Sequence, residues 1–224
     1  VDMVTTNGFD DSFLPEMAQF DKKRSESREK LLKIASAVVG YKIGHDAILV
    51  ATSGRYEYRN KGLDIFIDAM AHLKGKEAIE KEIVAFVLVP AGHTIAIPEV
   101  CSGLETENFT RGNAPTALTH YLQDPVHDLI LNQIKINGMT NSHDSKVKIV
   151  FAPIYIEGRD GVFDMPYYDV LMGMDLTIFP SYYEPFGYTP FESLAFHVPT
   201  VTTTLTGFGQ QVKSKLKDYE AGML

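Results

Sequence analysis

The chain has a single cysteine and no hydrophobic run long enough to cross a bilayer. A lone Cys101 cannot form an internal disulfide framework, so nothing in the sequence requires an oxidising compartment. The longest uninterrupted apolar run, residues 83–89, is far shorter than the ~20 residues of a membrane-spanning helix. No basic and then apolar signal segment opens the chain, and its first residues are typical of the interior of a longer protein. We therefore expect a cytoplasmic protein with no membrane contact.

Positive charge is also scarce, because 21 basic residues stand against 29 acidic ones and give a formal charge of -8. This balance argues against sequence-independent nucleic-acid binding, although a local cationic site remains compatible with it. Neither a Gly-x-Gly-x-x-Gly nor a Gly-Lys-Ser/Thr loop follows a strand, which leaves fingerprint dinucleotide binding and P-loop chemistry unsupported. The chain has 7 histidines but no His-Glu-x-x-His pair. We expect no metal site, and we expect packing or surface positions for His93, His120, His127, His143 and His197.

Strand-like and helix-like patterns alternate along most of the chain. Short apolar runs typical of strands occupy residues 47–52, 83–89, 147–152, 176–179 and 200–204. Helical spacing occupies residues 31–39, 63–73, 167–172 and 190–196. The run at 83–89 is apolar on both faces, as a strand inside a parallel sheet should be. The alternation predicts an α/β fold, with a parallel sheet and helices on both of its faces.

Residues 91–145 do not fit this alternation. They contain no convincing pair of strands, and an amphipathic helical pattern runs from Leu118 to Ile134, with Pro125 expected to kink or split it. The segment is therefore predicted to be a helical insertion within one domain, residues 1–224. No linker rich in proline, glycine or serine marks a domain boundary.

In parallel α/β sheets, ligands bind beyond the carboxyl ends of the strands, so the loops there carry the candidate chemistry. The loop at 53–62 leaves a strand and enters a helix, and it holds three cations, Arg55, Arg59 and Lys61. Cations beside a helix N-terminus suit a diphosphate. A solvated loop with surface charges explains the composition equally well.

The loop at 179–192 also joins a strand to a helix. Thr189-Pro190-Phe191-Glu192 is predicted to form a capping box with proline at the first helical position, which leaves nearby amides available to an anion. Capping alone would justify Glu192. Glu184 precedes a glycine-containing turn and has no evident structural role.

The two loops together resemble the glycogen synthase family, whose retaining enzymes carry the Glu-x7-Glu pair that Glu184 and Glu192 match. The resemblance is carried by residues 179–192, 199–204 and 207–209, by Gly54-Arg55-Tyr56-Glu57 and by Asn60-Lys61-Gly62. The Gly-Arg-Tyr-Glu and Tyr-Tyr-Glu-Pro-x-Gly-Tyr-Thr-Pro strings are more similar to the UDP-glucose type shared with eukaryotes than to the ADP-glucose bacterial type. The similarity covers nearly all of the chain from the Asn7-Gly8 turn.

The resemblance implies roles for individual residues. Arg55 and Lys61, with Gly54 beside them, would hold the donor diphosphate, and Glu184 would lie against the donor glucose. The amides of Gly187, Tyr188 and Thr189 would meet the phosphates. Glu192 would bind the ribose hydroxyls, and Tyr167 would stack on the uracil, although Tyr167 or Tyr168 could instead anchor a helix start. Arg59 has no family role and is expected to face solvent.

For the whole protein, the resemblance implies the C-terminal, Rossmann-like half of a GT-B glycosyltransferase that transfers glucose from UDP-glucose to an α-1,4-glucan with retention. No metal or cofactor is implied, since the chain has no Asp-x-Asp. The N-terminal domain and a final segment would lie outside this piece, which alone should bind the nucleotide sugar and make no glycogen. Residues 91–145 would correspond to an insertion used in contacts between subunits. Alternatives are a sucrose- or trehalose-forming enzyme and a non-catalytic nucleotide-sugar module.

Overall fold

The computed structural model describes residues 7–110 and 116–215 of the chain. In chain order its strands are β1 (Ile48–Ser53), β2 (Ile83–Leu88), β3 (His93–Ala96), β4 (His120–Leu122), β5 (Val147–Ala152), β6 (Leu176–Phe179) and β7 (Thr200–Thr202). Five of them form a central parallel sheet in the order β5-β2-β1-β6-β7. The other two, β3 and β4, form a separate antiparallel pair.

Seven α-helices and one short 3₁₀ helix, Asp11–Phe13, complete the described residues. The helices are α1 (Met17–Val39), α2 (Leu63–Lys74), α3 (Pro98–Thr106), α4 (Leu129–Ile136), α5 (Tyr167–Met172), α6 (Tyr188–Ala195) and α7 (Gly207–Lys215). One group of helices is α1 with α3 and α5, and another is α2 with α4. Both α1 and α2 contact β5, and every residue of β2 and β5 is buried, so helices cover both faces of the sheet.

The predicted parallel α/β architecture is confirmed, with its strands close to the expected positions. The strand order reverses between β1 and β6, because β2 and β5 lie on one side of β1 while β6 and β7 lie on the other. Such a reversal opens a crevice at the carboxyl ends of the two central strands. The loop after β1 and the loop after β6 meet at this crevice.

The prediction for residues 91–145 was wrong in its detail. The segment contains two helices, α3 and α4, but also the antiparallel pair of β3 and β4. Leu118 bridges to Phe151 of β5, so the start of the apparent helical pattern is extended chain beside the main sheet. Short apolar runs fit helical and strand spacing alike, and here tertiary pairing decides. Pro125 does split the pattern, since β4 ends at Leu122 and α4 begins at Leu129.

Candidate functional site

A cleft of about 610 Å³ lies at the crevice between the loop after β1 and the loop after β6. Most of the predicted site residues line it, namely Gly54, Arg55, Lys61, Glu184, Gly187, Tyr188 and Thr189. Asn7, Glu57, Asn60, Tyr183, Pro185 and Phe186 complete the wall. The structure therefore brings together residues from two loops that are more than a hundred positions apart in the sequence.

An ion pair between Lys61 and Glu184 joins the two loops across the cleft. Both side chains are largely buried, with 14% and 11% of their surfaces exposed. The Ser181 hydroxyl donates a second hydrogen bond to the Glu184 carboxylate at 3.0 Å. The cation and the carboxylate that the sequence nominated for donor binding thus form an ion pair with each other.

Backbone packing holds the same two loops close together. Gly62 precedes α2 with φ +62, and a Cβ atom at this position would lie 2.1 Å from the Pro180 carbonyl oxygen. The Tyr182 amide also donates to the Asn60 carbonyl at 2.8 Å. Only glycine permits both the left-handed conformation and this approach, so Gly62 allows the two loops to come this close.

Arg55 and Arg59 differ in what they face, although each has about four-fifths of its side chain in solvent. Arg55 lines the cleft and pairs with Glu57 at 2.8 Å. Arg59 pairs with the buried carboxylate of Asp64 at the start of α2 and is not part of the cleft wall. The expectation that Arg59 faces solvent is confirmed, and Arg55 is the arginine that a ligand in the cleft could recruit.

The first turn of α6 lines the cleft through Tyr188 and Thr189, but the predicted capping box is wrong. The helix begins at Tyr188 after Gly187, which has φ +104, and no side chain caps this end. Pro190 is thus the third helical residue, two positions later than predicted, and Glu192 is beyond capping position. A glycine whose conformation starts the helix early was enough to shift the boundary. The uncapped amides at 188 and 189 remain free to bind an anion.

A second cavity of about 310 Å³ adjoins the cleft and shares Gly54, Arg55 and Thr189 with it. Tyr167 lines this cavity, and its hydroxyl is 2.8 Å from the Ser53 hydroxyl. Burial raises the pKa of the Tyr167 phenol above its usual value. Sequence reasoning missed Tyr155, which lines the same cavity with 68% of its surface exposed. Its position just after β5, at the carboxyl edge of the sheet, was the available signal.

Tyr168 is a packing residue, which separates it from its neighbour Tyr167. Its ring stacks on Phe196 at 4.7 Å and meets Phe9 edge-on at 6.2 Å. The Tyr168 hydroxyl donates to the Glu192 carboxylate at 3.0 Å, and burial is the main cause that raises the tyrosine pKa to about 12. Glu192 is the one predicted site residue of the described chain that lines neither of the two cavities.

Burial also raises the pKa of Glu192, and the hydrogen bond from Tyr168 opposes that rise only in part. A raised folded-state pKa favours the neutral carboxyl in the folded protein. The stabilisation that this group contributes is fully present below its pKa in the unfolded state. It is lost as the pH rises through its pKa in the folded state. Glutamine stays neutral at every pH, so the stability of Glu192→Gln relative to wild type should increase from about pH 4 to about pH 7. Urea unfolding at the two pH values measures this increase.

Glu77→Gln is the control for this experiment, since Glu77 is exposed in the turn after α2. Its stability relative to wild type should be the same at both pH values. A Glu192→Gln difference that is equally independent of pH would contradict the expectation.

Within residues 7–110 and 116–215, no group of three His, Cys, Asp or Glu side chains could hold a metal ion. His120 has a packing role, because its ring nitrogens lie 3.0 Å from the Thr119 hydroxyl and 3.0 Å from the Asp160 carbonyl. Among these same residues no helix is both long and apolar enough to span a membrane.

Comparison with known proteins places these features in a family context. The sequence profile of the family described as glycogen synthase matches residues 1–101 and 105–223. The chain is 30% identical to Neurospora crassa glycogen [starch] synthase over 268 positions, which cover 93% of this chain and 38% of the relative. It is 29% identical to isoform 2 of the Saccharomyces cerevisiae enzyme, over 75% of this chain and 32% of that protein.

The mouse liver glycogen [starch] synthase is 27% identical over 97% of this chain and 38% of its own length. The chain thus spans about a third of the length of the relatives it matches. Among solved structures, the N-terminal domain of Candida albicans trehalose-6-phosphate phosphatase superposes with a TM-score of 0.51 at 12% identity. That match covers 89% of this chain and 34% of the other, and at this identity it supports the fold alone.

Proposed function

The chain belongs to the glycogen synthase family, and from that premise we propose that it is the donor-binding domain of a retaining glucosyltransferase. The proposed reaction transfers glucose from UDP-glucose to the non-reducing end of an α-1,4-glucan. The chain corresponds to about a third of the length of its relatives. The acceptor site and the rest of the active site would therefore include residues beyond those described. Residues 91–145 are the proposed contact between subunits, and the cytoplasm is the proposed compartment.

The observation that carries the proposal is the convergence of Lys61, Arg55 and the free amides of α6 on one cleft. A nucleoside diphosphate gains negative charge when the bond between sugar and phosphate breaks. Fixed cations and helix amides in a partly desolvated cleft stabilise that charge without reorganising at the moment of reaction. These groups would take the place of a metal cation, and no divalent ion is required for the proposal.

The adjoining cavity suits the nucleoside part of the donor. Tyr155 and Tyr167 offer aromatic surface there, and the cavity opens directly onto the cleft at Gly54 and Thr189. A base lying against an aromatic ring is stabilised by stacking, typically by about 1–3 kcal/mol. With the base in the cavity, the diphosphate would reach Arg55 and Lys61, and the glucose would lie beside Glu184.

Isothermal titration calorimetry of the 224-residue chain with UDP, UDP-glucose and ADP-glucose tests this function. We expect both uridine ligands to bind and ADP-glucose to bind more weakly. Binding should persist in EDTA, since no metal is part of the proposed site. An intact fold without detectable binding of any nucleotide would overturn the donor-site proposal.

Arg55→Ala and Arg59→Ala form a matched pair for the same titration, because the two arginines share one loop and a similar exposure. Only Arg55 lines the cleft, so only Arg55→Ala should weaken UDP binding. Equal losses in the two variants would assign the effect to the overall charge of the loop.

A further inference from the structure

The loop after β1 has two faces because its side chains alternate over residues 55–58. Arg55 and Glu57 line the cleft and pair with each other at 2.8 Å. Tyr56 and Tyr58 reach in another direction, to residues 128–133 at the start of α4. The loop that carries the cleft's cations is therefore in direct contact with the inserted segment, 91–145.

The Tyr56 hydroxyl makes three hydrogen bonds at the N-terminus of α4. It donates to the Asp128 carboxylate at 2.9 Å and accepts from the amides of Leu129 at 3.1 Å and Ile130 at 3.2 Å. Asp128 itself accepts from the Leu131 amide at 2.7 Å. Tyr56 and Asp128 together satisfy the first three amides of the helix, which would otherwise lack acceptors.

A second set of contacts ties α4 to α2, the helix that follows the cationic loop. The Tyr58 hydroxyl donates to Gln133 at 3.2 Å, and the amide group of Gln133 donates to Asp68 of α2 at 2.5 Å. Asn137 donates to the same carboxylate at 2.7 Å. The loop thus contacts α4 through its two tyrosines and continues into α2, which is itself hydrogen-bonded to α4.

We propose that Tyr56 is a positioning residue for diphosphate binding, which acts by fixing the loop of Arg55 and Lys61 to the N-terminus of α4. The Arg55 side chain is mostly in solvent, so the backbone on which it stands determines where its guanidinium can reach. Preorganisation of this backbone lowers the ordering cost that a diphosphate would otherwise meet on binding. The inference rests on the proposed donor site and assigns control of that site to the inserted segment.

Tyr56→Phe removes the hydroxyl and keeps the ring, and its effect on UDP and on uridine should differ. We expect UDP affinity to fall about tenfold, since the loop loses three hydrogen bonds to α4. Uridine lacks the phosphates and should bind within about twofold of wild type, as its contacts lie in the Tyr155–Tyr167 cavity. Calorimetry for UDP and NMR titration for uridine give the two affinities. A merely structural role for Tyr56 would weaken both ligands together.

Tyr58→Phe is the matched comparison, because it loses a single hydrogen bond to a side chain where Tyr56→Phe loses three, and it should change UDP affinity by less than about threefold. Asp128→Ala removes the partner of the Tyr56 hydroxyl at the start of α4. In a double-mutant cycle, its loss of UDP affinity should not add to that of Tyr56→Phe. Additive losses, or wild-type UDP affinity in Tyr56→Phe, would overturn the inference. Absence of UDP binding in the wild-type chain would instead overturn the donor site itself.

Discussion

Lys61→Ala is expected to weaken UDP binding by about thirtyfold or more, because truncating one partner of a desolvated charge contact costs about 2–5 kcal/mol. The ammonium of Lys61 lies in the cleft wall with 14% of its side chain exposed, where water screens it poorly. Isothermal titration calorimetry of the wild-type and variant chains measures the difference directly.

Glu184→Gln is the control, since it breaks the same ion pair from the other side. Both variants should lower the free energy of unfolding, but only Lys61→Ala should weaken UDP binding. Removing the carboxylate releases the Lys61 ammonium for the phosphates, so Glu184→Gln should bind UDP at least as tightly as wild type. Weaker binding in both variants would mean that the ion pair acts only as a structural link between the loops.

Gly62→Ala is expected to lower the free energy of unfolding by about 3 kcal/mol or more. A left-handed conformation costs an alanine about 1–2 kcal/mol, and overpacking typically adds about 1–3 kcal/mol. The overlap would be severe here, because the new Cβ atom would lie 2.1 Å from the Pro180 carbonyl oxygen. Urea unfolding followed by circular dichroism measures the change.

Gly75→Ala tests the opposite case at the other end of α2. Gly75 has φ -87, and a Cβ atom there would come no closer than 3.8 Å to its nearest neighbour. Its free energy of unfolding should stay within about 0.5 kcal/mol of wild type. Similar losses of unfolding free energy in the two variants would show that the close approach of the two loops at Gly62 adds little to the cost of Gly62→Ala.

The strands of the sheet and the position of the cleft could be predicted from local patterns. Residues 83–89 are apolar on both faces because β2 is buried along its whole length inside the sheet, and the structure ends that strand at Leu88. Arg55, Lys61 and Glu184 could be nominated because each follows a strand at the carboxyl edge of a parallel sheet. Their meeting in one cleft then follows from the reversal of strand order between β1 and β6.

Features set by distant partners could not be predicted in this way. Arg28 of α1, for example, has about a quarter of its side chain exposed and donates to Asp175 at 2.6 Å, a partner 147 positions away. The early start of α6 depends on the conformation of Gly187, which no spacing rule specifies. Tyr56 belongs to a recognisable motif, but its partner lies 72 positions away, in the segment whose secondary structure was the hardest to predict.

The alternation of side chains over residues 55–58 also limits how the chain can change in length. Inserting or deleting one residue between Arg55 and Tyr58 would move the residues on one side of the change onto the opposite face of the loop. Tyrosines would then enter the cleft, and a charged group would be forced against the first turn of α4. Substitutions that keep a cation at position 55 and a hydroxyl-bearing ring at position 56 preserve both the capped helix and the cationic wall. The segment should therefore accept changes of residue type far more readily than changes of length.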